Sequence, residues 1–323
     1  MRKNRWVAAV LALLTLAGCG TKTNTDKETE GQVIEKPQLL TNVYTCRDLT
    51  LPEGYYINSY AGFKDGAFQF QGNYSESKGK YGSEDFYGLT KNVLIALPEN
   101  GGDYTETVLS AIEIKGSDKT SVDYTDTTLH LFDGGRVELT ANYDPSNGST
   151  SYDLAVIRDD GTEKHAEGIE KNFQNVEDYL YIQYIQCDGD DNVYLAGDSN
   201  IWVFDPELNY SFAIQEGNYI QRMSLSTDGR IYAQYYGDKG MTCAPIDVQA
   251  KKFGDPIVLP ENLEFNGIFF GEGYTLYYYN KTGIYGYNTG DEAGVLLMNF
   301  QNSDVSGDLE NAYYIDADSF LLQ

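Results

Sequence analysis

Cations are scarce in this chain. It has 23 Lys and Arg against 49 Asp and Glu, for a formal charge of −26. Nucleic-acid backbones are held by clustered Lys and Arg. No such cluster follows residue 36, which argues against a nucleic-acid partner. The acid excess reads as solubility and self-repulsion; the alternative is a cationic ligand or bound Ca²⁺. Histidine is almost missing. His130 and His165 stand about 35 positions apart, which is not a metal-binding spacing. A Ser-His-Asp triad would have to use one of them, and no G-x-S-x-G elbow is present to receive it. Cysteine is also scarce. Beyond Cys19 there are Cys46, Cys187 and Cys243, an odd set that cannot complete a disulfide framework. Each falls in a predicted strand, where a free thiol behaves as a small buried apolar group. One disulfide among them stays open. The longest apolar run, Trp6–Ala17, is too short to span a bilayer comfortably.

Turn residues and tyrosine are abundant: 33 Gly, 28 Tyr and 14% aromatic content, a β-rich globular composition. The stretch Tyr184–Asp205, YIQCDGDDNVYLAGDSNIWVFD, sets the pattern. Three short apolar runs, Tyr184–Cys187, Val193–Ala196 and Ile201–Phe204, are separated by Asp/Gly/Asn turns, the signature of hairpins. Related turns recur at Lys64-Asp65-Gly66, Asp133-Gly134-Gly135, Thr227-Asp228-Gly229, Gly271-Glu272-Gly273 and Asp316-Ala317-Asp318. Asp190 to Asp228 is 38 positions, Asp228 to Glu272 is 44 and Glu272 to Ala317 is 45. A four-strand period of this length marks the blade of a β-propeller. The earlier spacings, 68 from Asp65 to Asp133 and 57 from Asp133 to Asp190, point to loop insertions. Six turns predict an all-β propeller of six or seven mostly four-stranded blades. The last repeat stops after two strands, leaving the C-terminal blade incomplete. Val43–Leu51 is the local candidate to pair with it in one sheet.

The N-terminus carries an address. Met1–Arg5 is basic, the apolar run follows, and Leu16-Ala17-Gly18-Cys19 resembles a bacterial lipobox. Residues 1–18 then read as a lipoprotein signal peptide, with Cys19 as the lipidated residue. Residues 19–38 are rich in Thr, Lys and Glu and too polar to fold, a flexible tether. Residues 39–323 are the propeller. The predicted location is the extracytoplasmic face of the cell membrane, held by the lipid. Within the folded part, Tyr74–Asp85 reads as a polar loop, and Lys164–Glu177 as a loop, the one stretch that could hold a helical turn.

Asp188-Gly189-Asp190-Asp191-Asn192 has the opening of a calcium loop, but Val193 and Ser199 stand where an EF-hand needs Gly and Glu. The expectation is a hairpin turn in which Asp and Asn bond their own backbone; no metal or other cofactor is predicted. Ser226–Tyr232 is similar to the Asp-box of sialidase-like propellers, except that Asp228 and Gly229 are adjacent. His130, in Leu129-His130-Leu131, is expected on a polar strand face. Alternation sends half of the clustered tyrosines into cores between blades. The rest could stack on sugars or peptides, and Tyr235, Tyr236, Tyr278 and Tyr285 are the candidates for ligand contact. No catalytic residue is nominated.

The runs CDGDDNVYLAGDSNIWVFD (187–205), LSTDGRIYAQYYGD (225–238) and GYTLYYYNKTGIYGYNTGDEAGVLL (273–297) resemble the N-terminal β-propeller region of clostridial-type surface lipoproteins. In that Gram-positive family an ABC-type extracellular solute-binding domain follows the propeller. This sequence stops at Gln323, where that domain would begin. The resemblance implies a lipid-anchored lipoprotein binding a small-molecule or carbohydrate ligand, or ABC-transporter components, in service of solute capture. A carbohydrate-active propeller enzyme and a purely structural scaffold are the alternatives.

Overall fold

The computed structural model describes residues 6–11, 44–50, 52–116, 124–144, 146–173, 182–215, 219–237, 240–257, 259, 263–300, 309, 311–316 and 319–322. Cys19 and the tether lie outside these residues. The chain forms two compact units, residues 50–259 and residues 1–49 with 260–323.

The larger unit holds four antiparallel sheets, each built from four consecutive strands. The first contains β3 to β6 (Tyr55–Lys64, Ala67–Lys78, Tyr87–Pro98, Thr105–Lys115); β1 and β2 (Trp6–Leu11, Tyr44–Leu49), which precede it in the chain, belong to the other unit. The second holds β7 to β10 (Tyr124–Phe132, Gly135–Asp144, Ser149–Arg158, Glu163–Ala166). The third holds β11 to β14 (Tyr184–Cys187, Val193–Ala196, Ile201–Phe204, Tyr210–Ile214), and the fourth β15 to β18 (Ile220–Leu225, Ile231–Gly237, Gly240–Asp247, Lys252–Phe253). The smaller unit contains one further sheet of this make, β19 to β22 (Gly267–Phe269, Leu276–Tyr279, Gly283–Tyr287, Val295–Asn299). These are the four-stranded blades of a β-propeller. Between blades 2 and 3 the chain makes a 3-10 turn, Ile169–Asn172. Five blades of consecutive strands are thus present among the described residues, fewer than the six or seven expected.

The sixth turn signal belongs to a sheet of different composition. The hairpin β23–β24 (Ala312–Asp316, Ser319–Leu322) joins β1 and β2 in the order β2-β1-β24-β23. β2 therefore shares a sheet with the C-terminal hairpin, as its sequence suggests, but β1 stands between them. Ala9 is opposite Cys46 on one side and Phe320 on the other.

Blade 3 shows how the blades cohere. Every residue of β12 and β13 is buried, because each face of the sheet meets a neighbouring blade. Val193, Leu195, Trp202 and Phe204 pack with Val137, Leu139, Leu154 and Val156 of blade 2. The alternate residues Tyr194, Ala196, Ile201 and Val203 pack with Ile220, Met223, Ile231 and Ala233 of blade 4. Two-sided burial explains why these strands read as continuous apolar runs.

Three sequence expectations change. The long spacings of the first two repeats lie largely in the strands: β3–β6 have 10, 12, 12 and 11 residues, against 4, 4, 4 and 5 in β11–β14. The start of the polar stretch Tyr74–Asp85 is strand as far as Lys78, because Tyr74–Lys78 pairs with Tyr87–Lys91. The presumed loop Lys164–Glu177 opens as the outer strand of blade 2, β10, before its 3-10 turn. Cys187 and Cys243 are buried free thiols, and burial pushes both up to about 12.

His130 also departs from expectation. Leu129 and Leu131 face blade 1, beside Ala61. His130 points the other way, opposite Val137 of the core shared by blades 2 and 3. Burial there lowers its pKa from 6.5 to about 4. Between these values the unfolded chain binds a proton that the folded chain refuses. Stability is therefore full above pH 6.5 and falls as the pH drops towards 4. Chemical denaturation at stepped pH should show wild type losing about 1–3 kcal/mol more over this window than His130→Gln. Parallel pH profiles would contradict the assignment.

Candidate functional site

The first turns of the blades in the larger unit are tied together at one end. Asp65 and Gly66, with φ of 53° and 71°, form the left-handed pair that a tight hairpin requires. The Gly189 N–H donates to Gly229 O at 3.0 Å, joining the turns of blades 3 and 4. Arg158 is ion-paired with Asp191, and Lys64 with Asp159, so blade 2 is linked on both sides.

Between the first turns of blades 1 and 2 lies an open cleft of about 420 Å³. Phe63, Lys64 and Asp65 form one wall; Phe132, Asp133 and Gly134 form the other, with Leu131 and Asp159 completing the lining. Gly62 brings the walls together. A Cβ there would lie 2.9 Å from Leu131 Cβ, and its φ is +151°, so a side chain would force β3 away from β7. Phe63 packs on Phe68 at 5.0 Å between ring centroids and is 37% exposed. The Arg158 guanidinium lies 4.8 Å from the centre of the Phe132 ring. The Asp159 N–H donates to Gly134 O at 3.0 Å, fixing the second wall. Asp65 and Asp133 are exposed, and no ion pair engages either among the described residues. The cleft thus offers ring surface and two uncommitted carboxylates, whereas the cations beside it are already paired.

The four candidate tyrosines fall elsewhere. Tyr235 is buried in the core of blades 3 and 4 and stacks on Phe253 at 4.8 Å. Its neighbour Tyr236 is 58% exposed. Tyr278 is buried and lies parallel to Tyr285 at 4.8 Å. A Cβ on Gly294 would come within 2.6 Å of the Tyr278 ring, so backbone covers it. Tyr285 is half-buried, with its hydroxyl 2.6 Å from Thr282 Oγ1. Tyr235 and Tyr236 belong to the larger unit, Tyr278 and Tyr285 to the smaller.

The acidic turn of blade 3 satisfies itself. Asp188 Oδ1 accepts the N–H groups of Asp190 and Asn192, both at 2.9 Å, and Oδ2 accepts from Asn192 Nδ2 and the Tyr194 hydroxyl. Burial, reinforced by that bond, raises the Tyr194 pKa. Asp205 repeats the pattern with the N–H groups of Glu207 and Asn209, both at 2.9 Å. In the Asp-box-like turn, Asp228 binds the Arg230 N–H at 3.1 Å and its Nε at 2.8 Å. These are the backbone-bonded turns anticipated from Asp and Asn. No group of three or more His, Cys, Asp or Glu side chains suited to a metal ion occurs among the described residues.

No family model matches the chain, and no curated protein matches it. Among solved structures it is similar to a protein of unknown function from Bacteroides caccae, at 11% identity and a TM-score of 0.39, over 89% of this chain and 85% of that one. It is also similar to BBS1N, crystallised in complex with ARL6DN and soaked with lead, at 11% identity and a TM-score of 0.26, over 75% and 90% of the two chains.

Proposed function

We propose that this chain is a lipid-anchored extracytoplasmic binding protein, accessory to solute capture by an ABC-type importer, whose blades present a ligand at their turn ends. The observation that carries the binding role is the open cleft between Phe63–Asp65 and Phe132–Gly134, with its exposed ring and uncommitted carboxylates. The lipobox ending at Cys19 supports the anchor, and lipid chains supply about 0.8 kcal/mol per buried methylene. In this reading the composite sheet counts as a sixth blade. Processing before Cys19 removes Trp6–Leu11, and β2 becomes the N-terminal partner of β24 in the mature protein.

Anchoring is tested by mass. Intact-mass measurement of membrane-extracted protein should show residues 1–18 removed and a lipid adduct on Cys19. Cys19→Ala should leave the chain unprocessed or release it to the medium. An unmodified Cys19 in the wild-type protein would end this part of the reading.

A further inference from the structure

We propose that the cleft between the first turns of blades 1 and 2 binds an organic ammonium group, the terminal –NH₃⁺ of a linear diamine or of a lysine side chain. The proposal rests on the reading of this cleft as the ligand surface and adds the chemistry of the ligand. It stands on a shaped cavity with aromatic walls, and the carboxylates decide the sign of its occupant.

Charge is the first argument. Asp65, Asp133 and Asp159 line the cleft against one cation, Lys64. Lys64 is already held by Asp159, and the nearby Arg158 by Asp191. An anion would have to displace one of these pairs. An ammonium group can take Asp65 or Asp133, which no ion pair engages among the described residues. The rings point the same way. The face of an aromatic ring attracts a cation, and Phe132 already seats the Arg158 guanidinium at 4.8 Å. Phe63, 37% exposed, offers the same surface to a ligand, and its ring can also cover an alkyl chain. Size agrees as well. About 420 Å³ is a small-ligand volume, ample for a short alkyl ammonium. A bare divalent ion wants at least six converging oxygens, and no metal-holding group of side chains is present among the described residues.

The test is calorimetric titration of the folded chain with 1,5-diaminopentane, with an acetylated lysine tripeptide, and with a neutral sugar and a neutral peptide. At least one amine probe should bind with a stoichiometry near one. Binding by the diamine alone identifies a free small molecule, and by the peptide alone a lysine side chain; either supports the proposal. Asp65→Asn with Asp133→Asn should weaken binding about tenfold. Glu53→Gln with Glu84→Gln removes the same charge from the opposite end of blade 1 and should leave binding unchanged. Thermal melts confirm that both double variants are folded. Equal weakening in the two double variants, or many amines bound per chain, would reduce the effect to counterion attraction and overturn the proposal. A neutral probe that binds where amines do not overturns the ammonium assignment while keeping the cleft as a ligand surface. No binding by any probe sinks both.

Discussion

Alanine in place of Trp202 is expected to destabilise the protein by about 3–5 kcal/mol, as for other fully buried aromatic residues. Trp202 is 1% exposed in the core joining blades 2 and 3, with Phe173 at 4.7 Å. Truncation leaves a cavity that two sheets cannot collapse without losing their register. Phenylalanine should behave differently. The indole Nε1–H has no acceptor among the described residues, so Trp202→Phe removes an unsatisfied donor together with some volume. Its cost should stay below about 1.5 kcal/mol. Denaturant titration of the two variants checks both values. A cost under about 1 kcal/mol for the alanine variant would mean that the blades do not pack as described.

Gln71→Leu is expected to cost about 2–4 kcal/mol, although glutamine in a strand looks replaceable. β7 is the edge strand of blade 2, and its outward backbone groups need partners. Gln71 acts there as a surrogate strand. Its Oε1 accepts the Leu129 N–H at 3.1 Å, and its Nε2 donates to Thr127 O and, at 3.1 Å, to Asn92 Oδ1. Asn92 Nδ2 adds bonds of 2.9 Å to Thr127 O and Asp126 Oδ1. Gln71, Asn92 and Thr127 are all buried, so leucine would strand the Leu129 N–H away from water. A double-mutant cycle with Asn92→Leu should show a coupling of about 1 kcal/mol. Strict additivity would show that the two amides do not act as one network.

The sequence is most legible where turns fence short apolar runs. In blade 3, Asp188–Asn192 and Gly197–Asn200 bound four-residue runs, and the three strands expected there coincide with β11, β12 and β13. Burial on both faces leaves no polar position to blur the pattern. Blades 1 and 2 are harder to read because their cores contain polar groups. Gln71 and Asn92 look like a solvent face, yet they bond a neighbouring edge strand. His130 looks the same, but its neighbours Leu129 and Leu131 serve the interface with blade 1 and leave it pointing at the next. Tyr74–Lys78 becomes strand only because β5 lies beside it, a tertiary cause with no local signal.

The cleft was present in the sequence as turns, without any mark that two of them meet. A signal does exist: a phenylalanine stands within two positions before the Asp-Gly pair in blades 1 and 2, Phe63 ahead of Lys64 and Phe132 directly, whereas Gln186-Cys187 and Ser226-Thr227 precede those of blades 3 and 4. Tyrosine clustering drew attention instead to the strands, where Tyr235 and Tyr278 serve the cores. One comparison tests this account most directly. The probe that binds wild type should be titrated into Phe63→Ala with Asp133→Asn, and separately into Tyr236→Ala with Tyr285→Ala. The account predicts that binding falls about tenfold or more in the cleft variant and is unchanged in the tyrosine variant; loss in the tyrosine variant with an intact response in the cleft variant would contradict it.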